Sequence, residues 1–225
     1  WIELDNVSIT TTLSSGFVTQ WYDQSGNANH ATQGTDARQP KIVDAGVLVS
    51  GGLDFDGVDD VLVVSGNPVI TANYAGTYSA FSVQTISTLE SGYIYGNTAG
   101  AGSGSSLYAS GSGKFTTTSG YAGNLDNILR SSGENLLSSV YNNGDAGLLV
   151  NGSGTMVDAG TYTFAAGVGD FIIGNRNGGG SAGTFLNGSI KEIIIYNSDQ
   201  SDNRTAFEAN IGETYGIDLP SGVDT

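Results

Sequence analysis

The chain has 225 residues, of which 38% are hydrophobic, and it carries 22 acidic against 7 basic side chains for a net charge of −15. Such a surface repels phosphate backbones and anionic lipid, so nucleic acid and membrane insertion are not expected partners, and no apolar run reaches transmembrane length. Cysteine is absent and His30 is the sole histidine, which excludes disulfides, thiolate nucleophiles and three-histidine zinc sites.

The predicted elements are short and many. Apolar, β-branched runs bounded by turn residues predict strands at 46–49, 61–64, 80–83, 92–95, 136–141, 147–150, 171–174 and 189–196. Asn142-Asn143-Gly144-Asp145, Asn151-Gly152 and Asn187-Gly188 read as tight turns, because Asn and Gly tolerate positive φ. Two glycine-rich stretches, 96–104 and 174–181, read as surface loops. One segment changes period. Phe207, Ile211 and Tyr215 recur every four residues and predict a single amphipathic helix over 201–215, started by Ser198 or Ser201 and ended by Gly216. Gly212 costs such a helix about 1 kcal/mol, which predicts a frayed last turn. The tail, with Pro220-Ser221-Gly222, reads as a linker or terminus.

Chemistry-bearing residues fall in four places. In Leu53-Asp54-Phe55-Asp56 the period of two puts Leu53 and Phe55 on one face and both aspartates on the other. Asp56, Asp59 and Asp60, together with Asp23, are the candidate metal ligands, with calcium as the cation that excess carboxylate oxygens attract. The competing reading is a hairpin whose Asp side chains bind local backbone N–H groups. Trp21 and Tyr22 form an aromatic pair beside polar side chains, a pattern that stacks on a sugar face; alternatively Trp21 is core and residues 23–27 form an Asx-type turn. Asn175 and Arg176 sit in the second glycine-rich loop, where an arginine contacts an acidic or hydroxylated glycan or holds a nearby Asp. Among the glutamates, Glu192 lies in a strong strand whose period puts Ile190 and Ile194 on its face, the setting of a buried acid. Glycoside hydrolysis needs two facing carboxyls, and no sequence-local partner for Glu192 exists.

Trp21-Tyr22-Asp23-Gln24-Ser25-Gly26-Asn27-Ala28-Asn29-His30-Ala31 resembles the WYDQSGNGNNA opening of laminin-G-like domains of the concanavalin A-like class. These occur in phage tail and other virion proteins and in bacterial surface proteins, and a related segment occurs in fungal arabinofuranosidases. Residues 39–43 resemble the strand that follows, 53–62 the motif L-x-F-D-G-x-D-D-Y-L with Val61 in place of its aromatic, and 188–196 the last strand. The helix after it is typical of phage-type members. The resemblance covers residues 17–216 and implies an all-β, two-sheet antiparallel jelly-roll sandwich with one short C-terminal helix. Residues 1–16 are then a lead-in from an upstream region and 217–225 a C-terminal tail or linker. It also implies a non-catalytic, lectin-like recognition module of a virion or cell-surface protein, acting in adhesion on a surface glycan or a neighbouring protein, within a larger chain or a homo-oligomer. A structural virion decoration or fibre domain, and a glycoside hydrolase related to arabinofuranosidases, are the alternatives.

Overall fold

The computed structural model describes residues 14–66, 77–87, 91–97, 105–110, 113–119, 124–129, 133–142, 145–158, 169–176 and 185–220. In chain order the strands are β1 (Gly16–Phe17), β2 (Gln20–Trp21), β3 (Ala31–Thr32), β4 (Lys41–Asp44), β5 (Val47–Leu48), β6 (Leu53–Asp56), β7 (Leu62–Val64), β8 (Tyr78–Ile86) and β9 (Gly92–Asn97). They continue with β10 (Ser105–Ser110), β11 (Lys114–Ser119), β12 (Asn124–Leu129), β13 (Glu134–Asn142), β14 (Asp145–Val150), β15 (Ser153–Asp158), β16 (Phe171–Ile173) and β17 (Asn187–Tyr196), and the helix α1 spans Arg204–Tyr215.

Two antiparallel sheets pack face to face as a jelly-roll sandwich. One runs β1-β4-β6-β17-β8-β13-β14-β15 with β5 paired to β4; the other runs β12-β11-β10-β9-β16-β7-β3-β2. The alternation expected in β6 holds: Leu53 and Phe55 are buried in the core while Asp56 faces solvent. Tyr78, Leu137, Tyr141 and Ile190 of the first sheet meet Leu62, Ile94, Tyr95 and Phe171 of the second in one apolar cluster. The Tyr78 and Tyr141 rings stack at 4.6 Å, and the Tyr95 hydroxyl lies 3.3 Å from Ser139 Oγ, a polar bridge between the sheets.

All eight expected strands are present. Strands β10, β11, β12 and β15 escaped the reading because Ser, Thr, Gly and Asn dilute their apolar alternation. The Asn151-Gly152 turn forms, with φ of 49° and 74°, and Asn151 Oδ1 accepts the Leu136 N–H at 2.8 Å. Residues 143 and 144 lie outside the described residues, but their flanks pair Asn142 with Asp145 as a hairpin requires. Of the first glycine-rich loop, Gly96 and Asn97 belong to β9 and 98–104 lie outside the described residues. Asn187-Gly188 is not a turn. It begins β17, pairing with Asp56 and Phe55, and a Cβ on Gly188 would approach the Thr85 carbonyl oxygen to 2.2 Å. Here glycine serves close strand approach.

On the outer face of the first sheet, α1 packs over Phe81, Val83 and Leu136 through Ile211 and the half-buried Phe207. The Phe207 ring lies 5.3 Å from Phe81 and 5.1 Å from Tyr196. A 3₁₀ turn over Ser201–Asn203 leads into the helix, and neither expected serine caps it; Asp199 instead accepts the Ser201 N–H at 2.9 Å. Gly216 closes it in the left-handed region, with Ile217 N–H donating to Gly212 at 2.9 Å. The last turn is docked rather than frayed. Gly212 is buried where the chain folds back, and Ile217 and Leu219 pack into the same cluster. Phe207→Ala should therefore lower unfolding free energy by about 2–3 kcal/mol, below the range for a fully buried Phe, and chemical denaturation measures it.

Candidate functional site

The pairing register divides the candidate residues between the two ends of the second sheet. Gln20 pairs Thr32, Thr32 pairs Val63 and Val63 pairs Ile172, which forms one row across β2, β3, β7 and β16. Strand direction alternates across this row. Trp21, Tyr22 and Asp23 consequently lie on one side of it, and Asp60, Asn175 and Arg176 on the other. Asp23 and Asp60 are about six strand positions apart, roughly 20 Å along the strand direction.

At the first end the turn reading is what the structure shows. Trp21 packs against the core and Tyr22 points to solvent, its ring edge-on to His30 at 5.1 Å. Asp23 is not a member of the metal-ligand group. Its carboxylate accepts Ser25 N–H and Ser25 Oγ–H at 2.8 Å and Asn29 N–H at 3.0 Å. These bonds, the Ser25 backbone bond foremost, hold its pKa below the usual carboxylate range. His30 Nδ1 accepts the Asp23 N–H at 3.1 Å.

The other end is built from the hairpin joining β6 to β7 and from the residues after β16. Asp56, Asp59 and Asp60 converge with carboxylate oxygens within 4.8 Å of one another. Asp56 Oδ1 accepts the Val58 N–H at 2.8 Å, and Asp60 Oδ2 accepts the Asp56 N–H at 3.0 Å. Arg38 braces the hairpin, its Nε donating to the Asp59 carbonyl at 3.3 Å and its carbonyl accepting the Val61 N–H at 3.1 Å. Buried Gln33 donates to the Val61 carbonyl at 3.0 Å, and buried Gln39 to that of Gln33 at 3.1 Å. Burial pushes the Asp60 carboxyl up to about 7 against the lowering effect of the Asp56 N–H, and the charges of Asp56, Asp59 and Asp54 push the same way. Three hard oxygen donors with mutual repulsion fit a hard divalent cation.

Beside Asp60, the chain turns at Gly174, where φ is 86° and a Cβ would lie 2.6 Å from the Phe55 ring and 2.8 Å from the Asp60 carbonyl oxygen. Asn175 is fully buried, and the Arg176 guanidinium lies 5.0 Å from the centroid of the Tyr93 ring. Residues 177–181 of this loop lie outside the described residues. Sequence reasoning missed Tyr93 as the partner of Arg176, because only the pairing of β9 with β16 brings them together.

Glu192 departs from expectation. A bulge at Lys191 shifts the register of β17 against β8, so Ile190 faces the core while Glu192 and Ile194 face the helix side opposite Val83 and Phe81. There Glu192 bonds the Tyr215 hydroxyl, whose acidity falls through burial first and the Glu192 charge second. Glu134 pairs with Lys191 at 2.7 Å, and buried Glu208 with Arg204 at 2.6 Å.

No protein-family model matches this sequence, and no curated protein matches it. Solved structures do. A GH54 α-L-arabinofuranosidase variant soaked with 4-nitrophenyl α-L-arabinofuranoside superposes with a TM-score of 0.67 at 16% identity, over 94% of this chain and 53% of that one. A Trypanosoma rangeli sialidase in complex with sialic acid gives 0.61 at 15% identity, over 92% and 33%. The CBM40 domain of Ruminococcus gnavus IT-sialidase, bound to α2,3-sialyllactose, gives 0.52 at 17% identity, over 69% and 91%. The fold is a lectin-like jelly roll. At these identities the likeness reaches no further than fold, and the chain spans a third of the sialidase and about half of the arabinofuranosidase.

Because Asp60 is more readily protonated in the folded protein, its contribution to stability is complete below about pH 4 and is lost as pH rises through about 7. Asp60→Asn, which keeps an acceptor for the Asp56 N–H, should raise the melting temperature at pH 8 more than at pH 5. Thermal melts of both proteins at the two pH values measure the difference.

Proposed function

We propose that the domain is a non-catalytic recognition module of a virion or cell-surface protein, and that it binds a surface glycan at the rim formed by the β6–β7 hairpin and the residues after β16. The observation that carries this reading is the convergence of Asp56, Asp59, Asp60 and the Tyr93-stacked Arg176 at one end of a lectin-like sandwich. Aromatic, cationic and hydroxyl-binding groups held on rigid strands are what sugar recognition requires. Calcium at the three aspartates would neutralise the hairpin and offer open coordination positions to sugar hydroxyls. The engagement of Glu134, Glu192 and Glu208 in contacts beneath or beside α1 supports a non-catalytic role. Among the described residues no helix is long and apolar enough to cross a membrane.

A glycan array with and without millimolar calcium tests the reading. The expected result is binding of a restricted set of glycans, strengthened by calcium and weakened in Asp59→Asn. Chromogenic arabinoside and glucoside should remain unhydrolysed. Turnover that disappears in Glu192→Gln would overturn the non-catalytic assignment.

A further inference from the structure

We propose, resting on the glycan-recognition reading, that Arg176, held over the Tyr93 ring, is a subsite for the single carboxylate of an acidic sugar. The arginine is held from both sides. Gly174 donates its N–H to the Ile94 carbonyl and accepts that of Leu186, each at 2.9 Å, which ties the turn to β9 and to the segment before β17. Asn175 is fully buried, and its side-chain oxygen accepts the Arg176 N–H. Tyr93 belongs to β9, the strand next to β16, and Arg176 follows the end of β16, so strand pairing brings the ring beside the arginine.

A contact of the guanidinium carbon with the ring engages none of the N–H donors as hydrogen-bond partners of a carboxylate, and the planar fork of donors matches a carboxylate with two parallel hydrogen bonds. Among the described residues Lys41 pairs with Asp44, Lys191 with Glu134 and Arg204 with Glu208. Among the described residues Arg176 makes no ion pair and is held by an aromatic ring instead. A side chain positioned before binding also loses less freedom when the ligand arrives. The acidic hairpin on the next strand sets the limit on ligand charge. One carboxylate reaches Arg176, whereas a polyanion would also meet Asp56, Asp59 and Asp60.

The test is an NMR titration of the domain with methyl glucuronoside, methyl α-sialoside and the neutral methyl glucoside. The acidic sugars should bind at least about tenfold more tightly than the glucoside, the margin of a charge-assisted bidentate contact. Arg176→Gln should remove that preference without changing the melting temperature, and Arg176→Lys should keep only part of it. Equal binding of acidic and neutral sugars, or a preference that survives Arg176→Gln, overturns the subsite and leaves glycan recognition standing. Failure of all three sugars to bind overturns both.

Discussion

The contact of the Phe55 ring with the backbone at Gly174 is the constraint around which this molecule's rim is built. Phe55 comes from one sheet and Gly174 follows a strand of the other, and the approach leaves no room for a Cβ. The same closeness brings the Asp60 carbonyl against Gly174, so the hairpin that carries the chain between sheets is pressed against the turn that buries Asn175 and presents Arg176. Any side chain at Gly174 would have to displace an aromatic ring of the core or the hairpin backbone, and it would meet a positive φ as well. Two separate stretches of sequence are thereby held as one surface.

That surface carries an internal electrostatic conflict. Three carboxylates meet in a hairpin whose backbone N–H groups satisfy only some of their oxygens, and one of the three is buried. Burial raises the energy of the Asp60 anion, and its neighbours add repulsion. A proton on Asp60 relieves it. Arg38 Nε reaches the Asp59 carbonyl rather than a carboxylate.

The opposite face of the first sheet is organised differently. Two ion pairs on it hold the helix region. Lys191, displaced by the bulge in β17, reaches Glu134 and lies 5.4 Å from the Tyr215 ring, while Arg204 pairs with buried Glu208. The bulge thus has a structural consequence: it sends Ile190 to the core, turns Glu192 toward the helix and frees Lys191 to clamp the helix end.

Local pattern determined a good deal on its own. The alternation in Leu53-Asp54-Phe55-Asp56, the eight apolar strands, the Asn151-Gly152 turn and the four-residue spacing of Phe207, Ile211 and Tyr215 depend on neighbours in sequence, and each was legible without coordinates. So was the Asx turn after Trp21, because Asp23 bonds only to residues nearby. Strands β10 to β12 were not legible, since Ser- and Thr-rich segments become strands through pairing with partners rather than through their own periodicity. The site was legible only in parts. Asp56, Asp59, Asp60 and Arg176 could be named, but nothing local separates Asp23 from the other aspartates or joins Tyr93 to Arg176. Those relations follow from strand register, which is set by which faces bury apolar surface across the whole sandwich. The bulge at Lys191 makes the same point, because a one-residue shift against β8 puts Ile190 and Glu192, which a period-two reading assigns to one face, on opposite faces.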